Sequence, residues 1–229
     1  MEIPVSPLET GKKYLFKIPD LDIRVELPYV LIPTDDGFLK IASLNLVGMI
    51  EWNRIFGRAL ARKIRETIPD LQGVVFLTAV EKSLQLSQVV AQELGIPMMA
   101  IAYNRRKPHM EIDTGQRRPF IQVGGESVTS GDKFLVVYER DFNLLTSAKR
   151  GVVIVDDVVS TGGTIAALAT ILDEITEHKS LDKSVLKILG IFCVAREGKM
   201  KPLYKGLSYK VHWLGNLPDP QFLPAKPKE

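Results

Sequence analysis

The chain has one cysteine among 229 residues, and only three histidines. A lone thiol closes no internal disulfide, so a disulfide-held secreted scaffold is excluded and a reducing, cytoplasmic setting is expected. His109, His178 and His212 are scattered without ligand spacing, which argues against a protein-bound zinc site. No run of apolar residues approaches the length of a membrane-spanning helix, and Met1–Ile18 carries no apolar stretch of signal-peptide length. Charge of neither sign dominates, since 30 basic against 27 acidic residues leave +3. That balance provides no nucleic-acid-coating surface, so neither nucleic acid nor membrane is expected as a partner. No internal repeat is present.

What remains is an ordinary globular composition, 45% hydrophobic and 25% charged, in a chain long enough to bury a sizeable core. Candidate strands fall at Gly73–Thr78, Pro97–Tyr103, Lys133–Glu139, Gly151–Asp156, Leu186–Ala195 and Ser208–Leu214. The runs 151–156 and 186–195 are apolar almost throughout, the pattern of strands covered on both faces in a parallel sheet. Three helices lie between such runs. The first spans Leu46–Thr67, with Trp52, Phe56, Leu60 and Ile64 on one face. The second starts near Ser83 and is stopped by Gly95 and Pro97. The third begins at Thr164, with Ile165, Leu168, Leu172 and Ile175 on its buried side. This order predicts an α/β fold with a mainly parallel central sheet flanked by helices. Residues 1–45 hold short runs broken by Pro19, Pro28 and Pro33, with a turn at Asp35-Asp36-Gly37, and read as a small β-rich hood. The core is expected over 46–217, and 218–229, with four prolines, as a loose or draped tail.

The chemistry concentrates in Val152–Thr164, Val-Val-Ile-Val-Asp-Asp-Val-Val-Ser-Thr-Gly-Gly-Thr. An apolar strand ends in two carboxylates, Asp156 and Asp157, at the edge where open α/β sheets bind ligands. Val158 and Val159 lead into Ser160, Thr161, Gly162, Gly163 and Thr164, which open a helix. The glycines allow a tight turn that points N–H groups inward, the hydroxyls add donors, and the helix start contributes positive potential. That loop suits a terminal phosphate. The carboxylates would repel phosphate and suit hydroxyl donors or a divalent cation instead. A ligand with a phosphate at one end and vicinal hydroxyls close by is a ribose phosphate. A nucleotide P-loop is excluded because no lysine follows the glycines, and the dinucleotide pattern G-x-G-x-x-G is absent.

At these residues the chain resembles the type I phosphoribosyltransferases, whose signature segment runs in this form. The resemblance implies that Asp156 and Asp157 contact the ribose hydroxyls of 5-phosphoribosyl-1-pyrophosphate (PRPP) and are the catalytic pair. It implies too that Val158–Thr164 binds the donor, gripping its 5-phosphate through Ser160–Thr164. A second loop of that family holds pyrophosphate, and Ala79, Val80, Glu81, Lys82 and Ser83 occupy its place, after the strand Gly73–Thr78 and at a helix start. Glu81-Lys82 as a solvated first turn is the alternative there.

The family's purine branch carries a basic pair after the next strand. Counted from Gly95-Ile96-Pro97, that pair falls here on Ala102-Tyr103, while Arg105, Arg106 and Lys107 follow two or three residues later, as a shifted functional loop or a solvated one. Residues 110–132, polar and with little helical periodicity, match the loop that closes over the site in this family. Leu44 and Asn45 resemble the Leu-Asn segment that shapes the base pocket of xanthine phosphoribosyltransferases. The resemblance implies transfer of phosphoribosyl from PRPP to a purine in nucleotide salvage, with adenine ahead of xanthine or hypoxanthine/guanine. Mg²⁺ would arrive with the diphosphate, without dedicated protein ligands, and the protein would be a homodimer. A PRPP-sensing regulator of the same fold and an orotate-type pyrimidine enzyme are the alternatives. Trp52 reads as core, Trp213 as core or edge packing, and Cys193 as a small buried hydrophobe.

Overall fold

The computed structural model describes residues 8–105, 120–127, 131–182, 184–198 and 209–225. Three antiparallel strands open the chain: β1 (Glu9–Ile18), β2 (Ile23–Thr34) and β3 (Gly37–Ala42). Pro28 sits inside the central strand β2, where it has no N–H to give. Its carbonyl accepts from the Ser43 N–H at 2.9 Å, so its nitrogen faces β3 just past the last β2–β3 pair, Tyr29–Ala42, where the ladder has already ended.

Helix α1 (Ile50–Thr67) follows. It begins four residues later than the apolar spacing predicts. Gly48 takes a left-handed turn (φ 76°), and the Asn53 amide donates to the Leu46 and Met49 carbonyls at 2.6 and 2.9 Å, holding Leu46–Met49 outside the helix. Phe56, Leu60 and Ile64 are fully buried, and Trp52 is half-buried against Phe56.

The rest of the chain builds β4 (Val74–Ala79), α2 (Leu84–Leu94), β5 (Ala100–Ala102), β6 (Phe120–Ser127), β7 (Gly131–Tyr138) and α3 (Glu139–Thr146). After these come β8 (Gly151–Val159), α4 (Gly163–His178), β9 (Ile188–Glu197), β10 (Val211–Leu217) and β11 (Gln221–Pro224). The central sheet has the order β10-β9-β8-β4-β5, and each of its neighbouring pairs is parallel.

Side chains of β8 alternate between two cores. Val152 and Ile154 pack with Leu77 of β4 and with Ile165, Leu168 and Ile171 of α4. Val153 and Val155 pack with Phe76, with Phe56, Leu60 and Ile64 of α1, and with Leu86 and Val90 of α2. A strand buried on both sides has no polar face, which is why its sequence reads as one apolar run.

The hood joins the second core. Phe16 is fully buried edge-on against Phe56 at 6.3 Å, and the Tyr14 hydroxyl donates to the Asn216 carbonyl at 3.1 Å. Gly215 lies beneath Phe16, where an added Cβ would meet the ring at 2.6 Å.

Two sequence expectations change, and a third takes definite form. Of the tail expected over 218–229 to be loose or draped, Gln221–Pro224 forms β11, which pairs antiparallel with β3 and completes a four-stranded hood. Its proline stands at the strand's end, opposite Gly37, where an edge strand tolerates a missing donor. Residues 120–127, assigned to a closing loop over 110–132, form β6, paired in register with β7 from Phe120–Tyr138 to Ser127–Gly131. Residues 131–132 of that loop begin β7, and 110–119 and 128–130 lie outside the described residues. The strand expected from Pro97 is trimmed to Ala100–Ala102, because Pro97 offers no ladder donor and Met98 is exposed.

Candidate functional site

Two crossovers leave the middle of the sheet in opposite directions. Strand β4 leads through α2 to β5 on one side, and its neighbour β8 leads through α4 to β9 on the other. The C-terminal ends of β4 and β8 therefore diverge and leave a crevice, the position where open α/β sheets bind ligands. A cleft of about 240 Å³ occupies it. Its floor is Asp156–Ile165, one wall is Ala79–Ser83, and the opposite rim is formed by Ile41–Leu44 of the hood with Glu197 and Leu217.

The acidic pair lies buried near the C-terminal end of β8, with Asp156 8% and Asp157 7% exposed. Asp156 Oδ1 accepts from the Asp157 N–H at 2.9 Å, and Asp157 Oδ1 accepts from the Val158 N–H at 2.9 Å. Burial pushes the Asp156 carboxyl well above the usual carboxylate range, and the adjacent Asp157 charge adds to that. Asp157 is also raised by burial, against which the Val158 N–H and the Lys82 ammonium hold it down. Two carboxyls buried this closely favour a ligand that supplies hydroxyl donors or positive charge.

Past Val159 the chain turns through Ser160-Thr161-Gly162. Gly162 is left-handed (φ 86°), which a glycine adopts at no steric cost, and it launches α4. Among the described residues no side chain caps α4, so its first N–H groups face the cleft beside Ser160, Thr161 and Thr164.

The opposite wall is tied down by buried hydroxyls. Ser83 Oγ lies 2.8 Å from the Ala79 carbonyl and 2.9 Å from Thr78 Oγ1, and the Val80 N–H donates to Ala102 O at 2.9 Å. The Val80–Glu81 peptide is cis. Glu81 and Lys82 are exposed at the lip, with Lys82 across from the acidic pair.

The expected site residues thus separate. Asp156–Thr164, Ala79–Ser83 and Leu44 share one cleft. Asn45 does not line it: it is exposed, and its Oδ1 accepts from the Val47 N–H at 3.2 Å. Arg105 is exposed and off the lining, Asn104 reaches the cleft, and Arg106 and Lys107 lie outside the described residues. At the place where the purine branch has its basic pair, Ala102 is buried and Tyr103 bridges to Val136, with N···O distances of 2.7 and 2.8 Å. Trp213 is half-buried beneath the Arg196 guanidinium and packs against the α4-side core.

Glu197 lines the cleft without having been anticipated. Burial raises its carboxyl, Asp219 raises it further, and Lys82 opposes them. One acidic residue after an apolar run makes no motif. Its only signal is position, at the C-terminal edge of a parallel strand. Among the described residues no group of three or more His, Cys, Asp and Glu side chains is assembled as a metal site. Nor is any helix there long and apolar enough to cross a membrane.

No curated protein matches the sequence. Among solved structures, an adenine phosphoribosyltransferase from Thermoanaerobacter pseudethanolicus is 15% identical, over 77% of this chain and 88% of that one, with a TM-score of 0.47. One from Leishmania donovani is 15% identical over 82% and 76%, at 0.46. A purine phosphoribosyltransferase from Pyrococcus horikoshii is 19% identical over 72% and 84%, at 0.38. A family model described as phosphoribosyl transferase domain matches residues 47–179, from just before α1 through α4. That match takes in the acidic pair, the hydroxyl–glycine loop and the wall facing them, and the chain belongs to the phosphoribosyltransferase family, the PRPP-dependent transferases that Val152–Thr164 points to.

Proposed function

We propose that the protein transfers the phosphoribosyl group of PRPP to a purine base, with adenine preferred over xanthine or hypoxanthine/guanine, as a cytoplasmic homodimer in nucleotide salvage. The observation that carries this reading is the placement of Asp156–Thr164 and Ala79–Ser83 on facing sides of one cleft, closed on its third side by apolar residues of the hood.

In this reading Ser160–Thr164 and the start of α4 hold the 5-phosphate. Asp156 and Asp157 hold the ribose hydroxyls, and Lys82 with the backbone of Ala79–Ser83 takes the pyrophosphate. The base lies between Ile41–Leu44, Val158 and Leu217, and its ring nitrogen attacks C1 as the bond to pyrophosphate lengthens, inverting C1. Positive charge grows on the ribose and negative charge on the leaving diphosphate. The protein therefore acts mainly by positioning and by electrostatic stabilisation of the leaving group. The buried carboxyls beside the pyrophosphate wall are hard oxygen donors of the kind Mg²⁺ takes, and the ion, entering with PRPP, would offset the diphosphate charge.

The preference for adenine leans on Glu197 at the rim of the same cleft. A carboxylate set against the 6-position of the base accepts from the 6-amino group of adenine and opposes the 6-carbonyl of hypoxanthine. Pyrophosphate release from PRPP is measured with adenine, hypoxanthine, guanine, xanthine and orotate, with wild type and the Asp156→Asn/Asp157→Asn double variant. Base-dependent release that peaks with adenine and collapses in the variant is expected. Release with orotate alone, release that needs no base, or unchanged turnover in the variant refutes the proposal.

A further inference from the structure

The interstrand ladder between β4 and β8 ends at Leu77 opposite Ile154, where the two strands begin to diverge around the crevice. One residue further on, the gap is bridged by a side chain. Thr78, 1% exposed, donates from Oγ1 to the Val155 carbonyl at 2.9 Å, next to Asp156 in sequence. That oxygen also accepts from Ser87 Oγ of α2 at 3.0 Å and lies 2.9 Å from Ser83 Oγ. The single Thr78 hydrogen is committed to Val155, so Ser83 is the donor in the last contact, sharing its hydrogen between Thr78 Oγ1 and the Ala79 carbonyl. One donor and two acceptor positions are thereby filled at a fully buried hydroxyl. Ser83 and Ser87, both 2% exposed, have no water to turn to if Thr78 is lost.

The consequence is geometric. Thr78 is the penultimate residue of β4, which runs straight into the wall Ala79–Ser83, and its hydroxyl is fastened to the strand that carries Asp156–Asp157. We propose that Thr78 is a positioning residue that fixes the spacing between the pyrophosphate wall and the acidic pair, and that this spacing is what the intact donor reads. The inference rests on the proposed function above. PRPP must touch both walls at once, whereas ribose 5-phosphate needs only the β8 side. A crevice of altered width therefore penalises the linked ligand and spares the half-ligand. A misplacement of about 1 Å is enough to lower turnover by roughly a hundredfold.

The test compares Thr78→Val, which keeps shape and removes the hydroxyl, with Thr78→Ser, which keeps the hydroxyl. PRPP and ribose 5-phosphate binding are measured by calorimetry on the full chain with Mg²⁺, beside steady-state turnover. Thr78→Val is expected to weaken PRPP roughly tenfold or more and to lower kcat, with ribose 5-phosphate affinity within about twofold of wild type. Thr78→Ser should restore both. Ser87→Ala, which removes a donor to Thr78 Oγ1 from a residue outside the cleft lining, is expected to show the same split in milder form, and it decides the matter should the valine variant not fold. Equal losses for PRPP and ribose 5-phosphate, unchanged PRPP affinity in both variants, or a serine variant no better than valine would overturn the role of Thr78. A wild type that neither binds PRPP nor turns it over would instead sink the proposed function, which separates the two failures.

Discussion

Asp156→Asn should make the protein more stable at alkaline pH while removing its activity. The asparagine keeps an Oδ1 that accepts the Asp157 N–H, so the 2.9 Å bond survives, and Ser83 lies near enough to accept from the new amide. What disappears is a carboxyl that burial and Asp157 drive well above its ordinary range. An unfolded aspartate titrates near 3.9. Between that value and the raised folded one, the native chain retains protons that the unfolded chain has released. Native stability therefore falls as pH rises through the interval, and the loss is complete above it. Each unit of elevation costs about 1.4 kcal/mol, and each kcal/mol is worth about 2–4 °C of Tm in a domain of this size. Thermal unfolding of the ligand-free protein at pH 8 and pH 4 measures the effect. The variant should melt higher at pH 8, the gap should close towards pH 4 as the wild type recovers its protons, and pyrophosphate release should collapse. Added PRPP should raise the wild-type Tm more than the variant's. A variant that melts at or below wild type at pH 8 with its fold intact would refute the claim that this site is held against the interests of stability.

Other expectations follow from neighbouring geometry. Glu197→Lys should lower the preference for adenine over hypoxanthine at least roughly tenfold by setting a donor against the base edge, read from the ratio of kcat/KM values. Lys82→Met should raise the KM for PRPP about tenfold, since a hydrogen bond to a charged group is worth about 1.5–3 kcal/mol; an unchanged KM would place pyrophosphate elsewhere. Gly215→Ala would set a Cβ 2.6 Å from the Phe16 ring and 2.7 Å from the Lys17 carbonyl. Overpacking of that kind costs about 1–3 kcal/mol, visible as a lowered Tm, and the displaced hood should weaken base binding more than PRPP binding.

The parallel sheet was legible because its strands are buried on both faces, and Val152–Val155 can hardly be anything else. The phosphate loop was legible because hydroxyls, glycines and a helix start follow an acidic pair at fixed spacing. Elements defined by a partner rather than by their own pattern were not. Strand β6 carries Gly124-Gly125 and has no apolar run, and it exists by pairing with β7. Strand β11 is short and ends in proline, and its hydrogen bonds all come from β3. Helix α3 buries Asp141 and Leu145, so its inner face includes a carboxylate that accepts the Ile101 N–H at 3.0 Å, a tertiary contact no periodicity announces. Glu197 and Thr78 belong to the same class, since each acquires its meaning only from residues far away in the chain.

Strand β11 also divides the two sides of the cleft along the chain. It follows every strand of the parallel sheet, yet it completes the hood by pairing along β3, whose end at Ile41–Ala42 borders the cleft. A chain cut between Leu217 and Gln221 therefore keeps every strand of that sheet, with the two loops proposed to hold PRPP, and loses only the hood's fourth strand. Under the proposed function such a chain would still hold the sugar phosphate while the acceptor side lies open to water.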